Sequence, residues 1–381
     1  MYIHKYIIVI FFSLLLLSSC GDSDEQQDDV AVDSTLNQIM AAKTPFALSK
    51  SSTPVFTTHE WDFIFGGETG DALKYDNYGE IDELVFVALP GTFFSLQRQI
   101  RKQIRAGNET IYYKVTTPAY RGAQELWVDG RFLDLRDVRP LIEEKKVSNA
   151  KTLTNLRSYD GLPYTWHGSS EIGVAELLLY YPPTGDISDR TKSDWVLKGF
   201  DSLGMLYLAS EGQTPVDLAS LARFGQPVDA DLNSVVVAEG EDANLRKAEF
   251  LLTKLEPLDI IQYSDSVWIV LDKGEVIQSK YRSKFDGNVR ITLLRDTVYG
   301  LMQKATFVKD PFKELENKNA KKFFVRRYAV TENLLEEQLL DAGAGTGTTT
   351  EGDTEAAPAD TKTVTLTVEE GRGEEGSGTP D

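Results

Sequence analysis

An α+β fold is predicted for this chain by three features of its sequence. Short β-branched and aromatic runs punctuated by turn residues extend to about Glu144, helical and strand patterns alternate after Lys151, and bulky apolar residues become scarce from Asp341. The expected architecture is a small antiparallel β-barrel, then a helical subdomain packed on an antiparallel sheet, then a disordered acidic tail. With 381 residues, 41% of them hydrophobic and 10% aromatic, the chain has room for two such domains plus tails. Lys and Arg number 40 against 59 Asp and Glu, a net charge of −19 that argues against a nucleic-acid partner, which requires a basic groove. One cysteine excludes an internal disulfide, a Cys-rich zinc site and an iron–sulfur cluster. Of three histidines, His4 lies at the extreme N-terminus, leaving His59 and His167 to bind a metal or move a proton. No cofactor is implied.

Residues 1–19 read as a secretion signal, with Lys5 before the apolar run Ile7 to Leu17, whose eleven residues are too few to span a bilayer stably. Leu17-Ser18-Ser19-Cys20-Gly21 resembles the lipobox of bacterial lipoproteins. The resemblance implies that Cys20 becomes an acylated N-terminus and that the protein is membrane-anchored in the cell envelope, on a periplasmic or surface side. A plain transmembrane anchor or an ordinary cleaved signal is the alternative. Residues 20–45 follow as a tether, acidic through Asp22, Asp24, Glu25, Asp28 and Asp29 with no basic residue before Lys43.

Within residues 46–145 the strand candidates are Pro54–Thr57, Leu84–Leu89 before Pro90-Gly91, Ile111–Val115 and Leu126–Asp129. Tyr112-Tyr113-Lys114-Val115-Thr116-Thr117 and Leu126-Trp127-Val128-Asp129-Gly130-Arg131-Phe132-Leu133 resemble the closing strands of a bacterial SH3-like domain. Such barrels bind wall peptides or position a neighbouring domain. The basic run Arg98–Arg105, with Ile100 and Ile104 four apart, suggests a short amphipathic helix or a twisted arm. His59, beside Trp61, reads as structural or exposed rather than functional.

Leu141 to Lys151 form a linker or connecting helix, and residues 146–330 make the second domain. Helices are expected over Trp195–Ala209 and Leu245–Leu255, and strands over Ile260–Tyr263, Val267–Asp272 and Glu275–Ser279, with Lys273-Gly274 as a hairpin turn. Residues 331–381 form the C-terminal segment. From Asp341 ten acidic residues face only Lys362 and Arg372, a composition that cannot bury enough apolar surface to order itself.

Three stretches of this domain, taken in order, resemble the NlpC-type family of papain-like peptidases, which cut peptidoglycan stem peptides. Pro163-Tyr164-Thr165-Trp166-His167-Gly168 is similar to the family's Pro-Tyr-x-Trp-Gly-Gly motif. Gly199-Phe200-Asp201-Ser202-Leu203-Gly204 stands where the family has Asp-Cys-Ser-Gly, and Leu255-Glu256-Pro257-Leu258-Asp259-Ile260 matches its Leu-x-Pro-Gly-Asp-Leu turn. The resemblance places Ser202 at the nucleophile, Ser266 at the histidine base and Gln278 at the residue that orients it. A hydroxyl needs a base to become a nucleophile, and neither Ser266 nor Gln278 accepts a proton near neutral pH. Losing a unit that works together removes acceleration on the order of 10⁶-fold, so the chain is expected to be a pseudopeptidase with no intact catalytic residues.

What remains is a cleft in which Tyr164, Trp166, His167 and Asp201 are the candidate peptide-binding residues. The expected role is to bind a peptidoglycan stem peptide, or to scaffold or regulate a cell-wall enzyme. One rival is a rebuilt peptidoglycan endopeptidase using Ser202 with His167 and Asp265. Another is a structural envelope lipoprotein that binds a protein and whose cleft is filled by Trp166, Tyr207 or Tyr263. Acidic clusters at Asp229/Asp231 and Glu239/Glu241/Asp242 lack the Gly and terminal Glu of a calcium loop, and no metal site is assigned.

Overall fold

The computed structural model describes residues 38–105, 107–141, 146–283, 286–312 and 321–328. The signal segment, Cys20, most of the tether and the C-terminal tail lie outside the described residues.

The first half opens with β1 (Ile39–Ala41), β2 (Phe46–Ser49) and β3 (Thr53–Phe56), then a one-turn helix α1 (Trp61–Ile64) and the short pair β4 (Phe65–Gly66) and β5 (Ala72–Leu73). β6 (Leu84–Ala88), β7 (Phe93–Gln103), β8 (Glu109–Thr116), β9 (Leu126–Asp129) and β10 (Leu133–Arg136) complete it. Eight of these strands form one curled antiparallel sheet in the order β10-β2-β7-β8-β9-β3-β6, with β1 beside β7. β7 is its spine, carrying β1 and β2 end to end along one margin and β8 along the other.

The basic run therefore folds as a strand rather than as a helix or arm. Cross-strand pairing with β8 holds Ser95 to Gln103, and a bulge between Leu96 and Arg98 supplies the local bend. Ile100 is buried, while Lys102 pairs with Glu60 at 2.5 Å and Arg101 with Glu109 at 3.7 Å. Ladder hydrogen bonds outweigh two isoleucines at helical spacing, a pattern that these eight residues share with a half-buried strand.

The second half runs α2 (Asn149–Ser158), β11 (Ser169–Ser170), α3 (Glu176–Tyr180), α4 (Asp189–Trp195), β12 (Gly199–Phe200), α5 (Ser202–Ala209), α6 (Leu218–Leu221) and β13 (Gln226–Pro227). It continues with α7 (Ala243–Leu252), β14 (Ile260–Tyr263), β15 (Ser266–Val270), β16 (Glu275–Ser283), β17 (Asp286–Leu293), α8 (Leu294–Lys304), β18 (Thr306–Phe307) and β19 (Lys322–Arg327). The helix expected over Trp195–Ala209 is divided, because Leu197 (φ 54°) and Gly199 (φ 134°) take conformations no α-helix accommodates. The β15–β16 turn has Lys273 at φ 61° and Gly274 at φ 72°, the geometry of a two-residue type I′ hairpin.

This half's main sheet has the order β13-β19-β14-β15-β16-β17, with β18 parallel to β19. Helices cover both faces. Ile260, Val267, Ile269 and Ile277 pack with Leu203, Met205 and Leu206 of α5, whereas Ile261, Trp268, Val270 and Val276 pack with α7 and α8. The acidic clusters serve this layer: Asp242 caps α7 by accepting from the Asn244 and Leu245 amides, and Glu241 pairs with Arg246. Among the described residues no group of three or more His, Cys, Asp or Glu side chains is placed to hold a metal ion, and no helix is long and apolar enough to cross a membrane.

Buried residues of the two halves share cores. Phe56, Trp61, Ile64 and Trp127 pack with Val174, Leu177, Tyr181 and Trp195 in one cluster, and Tyr207 and Val216 enter another with Phe86 and Val115. Between the halves lies a buried polar knot centred on Asp129, which is inaccessible to solvent. Its carboxylate accepts from Thr110 Oγ1 (2.7 Å), the Arg131 amide (2.9 Å), Arg131 Nε (3.0 Å) and the Tyr181 hydroxyl. The Tyr112 and Tyr181 hydroxyls meet at 2.8 Å, and the Arg131 guanidinium stacks over Tyr180 and Tyr181 at 4.3 and 4.8 Å while donating to the Tyr180 carbonyl.

Removing one partner of such a knot exposes the cost of the others. Asp129→Ala is expected to lower unfolding free energy by about 3–5 kcal/mol, since it strands Arg131 and two hydroxyls. Tyr181→Phe, which deletes the hydrogen bond to Asp129 and the one shared with the Tyr112 hydroxyl, costs about 2–4 kcal/mol. Urea denaturation followed by tryptophan fluorescence measures both, and equal small losses would mean the knot is not what joins the halves.

Candidate functional site

α5 begins at the position the sequence singles out, and its N-terminus is fixed by two contacts. Asp201 is the N-cap, its Oδ1 accepting from the Gly204 amide at 2.6 Å. Gly204 also lets the helix settle on the β11 segment, for a Cβ there would stand 2.0 Å from the Gly168 carbonyl oxygen. Ser202 is buried at the first turn. Its Oγ donates to the Ser279 carbonyl (3.2 Å) and accepts from the Ser279 amide (3.0 Å), while Ser279 Oγ donates to the Phe200 carbonyl at 2.6 Å. Both the donor and an acceptor site of the Ser202 hydroxyl are thus engaged with main chain, so the side chain staples α5 to β16.

The sheet register decides which residues face this staple. Cross-strand partners lie on one face, and Ile260↔Ile269 and Ile277↔Ile291 lie on the face beneath α5. Val267 pairs with Gln262 and Ser279 with Val289 on that same face. Ser266 pairs with Tyr263, which packs in the α7–α8 layer, and Gln278 pairs with Arg290. Ser266 and Gln278 therefore point away from Ser202. The positions on Ser202's side are Val267 and Ser279, one residue further along each strand, and neither carries a base.

His167 has φ 52°, a left-handed conformation that favours glycine and that fits its place at the first glycine of the resembled motif. Its ring packs edge-on to Trp166 at 4.4 Å, and Nδ1 lies 3.8 Å from Asp201 Oδ2. Burial pushes His167 down to about 4 and Asp201 up to about 7, the latter in spite of the amides of Gly204, His167 and Leu203 that favour its charged form. The pair is neutral between those limits, which makes Asp201 a proton donor rather than a partner that would hold an imidazolium.

A cavity of about 370 Å³ opens beside this cluster. Its walls include Tyr164, Trp166, Tyr281, Arg190, Asp194 and Lys198 of the second half together with Tyr75 and Glu80 of the first. Ser202, Asp201 and His167 are not among its walls. The loop carrying Glu80 is prearranged by Asp76, which accepts from the Tyr78 and Glu80 amides at 2.7 and 2.8 Å. It docks through Tyr164 Oη to Glu80 (3.1 Å) and Tyr281 Oη to the Tyr78 carbonyl (3.0 Å). Tyr75 Oη donates to Asp194 at 3.0 Å. Close packing at Gly287, where a Cβ would meet Tyr164 Cβ at 2.7 Å, holds the Tyr164 ring against this wall.

Of the four binding candidates, Tyr164 and Trp166 reach the cavity, and His167 and Asp201 stand behind it as a mutual pair. Neither Tyr207, buried against Phe86 and Thr92 of the first half, nor Tyr263, in the α7–α8 layer, is among the cavity's walls. Val267 and Ser279 were legible only through the pleat. Glu80 and Tyr75 had no signal, because their loop is separated from Tyr164 by more than eighty residues.

No family model and no curated relative matches the sequence. Solved structures similar to it include an NlpC/P60 family protein from Bacillus cereus, at 16% identity over 75% of this chain and 63% of that one, TM-score 0.27. RipD of Mycobacterium tuberculosis, described as a non-catalytic NlpC/p60 domain protein adapted to peptidoglycan binding, matches at 15% identity over 48% and 97% of the two chains, TM-score 0.25. The peptidoglycan hydrolase RipB of the same organism matches at 17% identity over 47% and 63%, TM-score 0.25. The chain thus spans less than two thirds of the length of the first and third of these.

Two predictions follow the geometry. Between about pH 4 and 6.5 the unfolded chain binds a proton at His167 that the folded chain lacks, so that group makes stability rise with pH; Asp201 is protonated only in the folded chain and makes it fall. Relative to the parent, the slope of stability against pH is expected to become more negative in His167→Ala and more positive in Asp201→Asn, measured by denaturant melts at pH 4.5, 5.5 and 6.5. Second, in a Cys20→Ser background, Ser202→Cys with Val267→His creates a thiolate–imidazolium pair that alkylates at pH 6 about tenfold faster than Ser202→Cys with Ser266→His. Equal rates would mean that a histidine at 267 reaches the thiol no better than one at 266 and would overturn the assignment of Val267 to the face of Ser202.

Proposed function

We propose that the chain is a degenerate NlpC-type protein, preceded by an SH3-like domain and anchored through acylated Cys20, that binds peptidoglycan stem peptide without cutting it. The observation that carries the reading is the use of the Ser202 hydroxyl as a staple to the Ser279 main chain, with Val267 rather than a base on the facing strand. Hydrolysis by an acyl-enzyme route needs a hydroxyl free to approach a carbonyl and a group to take its proton, and this site supplies neither. The rebuilt arrangement is disfavoured for the same reason, since the Ser202 hydroxyl is engaged with the Ser279 main chain and burial, which lowers His167 to about 4, leaves its imidazole a weak base.

Binding requires less. The cavity is within the size range of small-ligand sites, and its walls combine aromatic faces with carboxylate and cationic groups suited to the amides and charged ends of a short peptide. Trp166 contributes an indole ring to the wall, the side chain best suited to stacking on a peptide.

Calorimetric titration of the chain with purified muropeptides tests this. Saturable heat is expected, with Trp166→Ala weakening binding about tenfold or more, equivalent to about 1.4 kcal/mol. Sustained heat after each injection would mean turnover and overturn the pseudopeptidase reading. No heat at millimolar ligand would overturn the peptide reading and favour a protein partner such as an active wall enzyme.

A further inference from the structure

Two carboxylates and two cations stand in the walls of the cavity, and they are not matched evenly with one another. Glu80 accepts from the Tyr164 hydroxyl at 3.1 Å and Asp194 from the Tyr75 hydroxyl at 3.0 Å, so each half gives one tyrosine and one carboxylate to the other. Arg190, four residues before Asp194 on α4, brings its Nε to 3.7 Å from that carboxylate. Lys198 is the remaining charge. It is exposed, and its side chain makes no hydrogen bond or ion pair among the described residues.

The backbone beneath this lysine is nevertheless fixed from both sides. Leu197 takes φ 54°, its amide donates to the Asp194 carbonyl at 3.0 Å, and the Lys198 amide donates to the Ser193 carbonyl at 3.1 Å, which closes the end of α4 in a tight turn. A leucine is strained in that left-handed conformation, and it is held there by burial in the core with Tyr181 and Trp195. On the other side the Lys198 carbonyl accepts from Thr165 Oγ1 at 2.7 Å, and a Cβ at Gly199 would stand 2.5 Å from the Pro163 carbonyl oxygen, so the two segments lie in close contact. Tyr164 and Trp166, from the segment so gripped, are wall residues of the same cavity. A cation with a locked main chain and an unpaired side chain, in the wall of an aromatic cavity, suits an anionic group of a ligand at little cost in backbone ordering. The anionic groups of a short peptide are its carboxylates. We propose that Lys198 is the specificity-determining residue of this cavity, pairing with a free carboxylate of the bound stem peptide and so selecting free-acid over amidated peptide. The inference rests on the peptide-binding reading and adds to it the chemical group that is read and the side chain that reads it.

The test titrates the full chain calorimetrically with a synthetic stem tripeptide, alanyl-γ-glutamyl-lysine, in three forms: the free acid, the C-terminal amide, and the amide of the glutamyl α-carboxylate. At least one amide is expected to bind about fivefold more weakly than the free acid, the scale of a solvent-accessible ion pair, and the gap is expected to narrow as salt is raised. Lys198→Gln is expected to bind the three forms alike and to melt with the parent, since its side chain has no partner in the protein to lose. Lys198→Arg, which keeps the charge, is expected to retain the discrimination. Equal affinity of the parent for all three forms overturns the proposal and leaves the peptide-binding reading standing. Discrimination that survives in Lys198→Gln also overturns it, and assigns the carboxylate to another group such as Arg190. No heat with any form at millimolar concentration overturns the peptide-binding reading itself, and the proposal falls with it.

Discussion

Asp129 sits where a carboxylate has no water to turn to, at the end of β9 and under Tyr181 of the second half. Its burial is tolerable only because Arg131, Thr110 and Tyr181 satisfy it together, and Arg131 in turn stacks on the two tyrosines that end α3. Everything that makes the cavity depends on this registration. Tyr75 and Glu80 belong to the first half and Tyr164, Trp166 and Asp194 to the second, and the wall they share exists only if the halves are held in one relative position. Aromatic packing of Trp61, Phe65, Tyr181 and Trp195 provides area around the knot, while the charged hydrogen bonds provide direction.

The same logic accounts for the inert helix terminus. A helix N-terminus favours an anion, which is why a thiol there is easily ionised. A serine hydroxyl is far too weak an acid to benefit, and in its buried setting it must find hydrogen-bond partners instead. Ser279 supplies both from its main chain, Ser279's own hydroxyl goes to Phe200, and the segment that would hold reacting atoms becomes part of the core. The neutral His167–Asp201 pair beside it is likewise a consequence of burial. What stays accessible is displaced towards the first half, into a cavity whose walls include neither Ser202 nor that pair.

Much of the second half was legible as sequence. Ile260–Tyr263 is a strand with the expected ends and the Lys273-Gly274 turn has the expected backbone, whereas the helix expected over Trp195–Ala209 begins only at Ser202, capped by Asp201. The features that matched are local: a two-residue turn and a run of β-branched residues each carry their own physical signal. Ser266 and Gln278 show the limit of such reading. A motif matched by letters can slip by one residue, and in a strand that slip exchanges the two faces, so Val267 and Ser279 emerge only from the pairing of β14, β15 and β16. The basic run Arg98–Arg105 shows a second limit, since its ambiguity between helix and strand was resolved by a partner strand, β8, that no local pattern identifies.

The sequence by itself determined the acidic balance, the absence of an internal disulfide, the α+β class and the lack of an imidazole at either strand position, because composition and local pattern need no partner. Only the tertiary structure decided that the Ser202 hydroxyl is consumed by Ser279 and that Glu80 and Tyr75 join Tyr164 across the two halves. Those are contacts between residues tens to more than a hundred positions apart. They are set by sheet register and by a buried charge that must be satisfied, quantities that exist only once the chain has closed on itself.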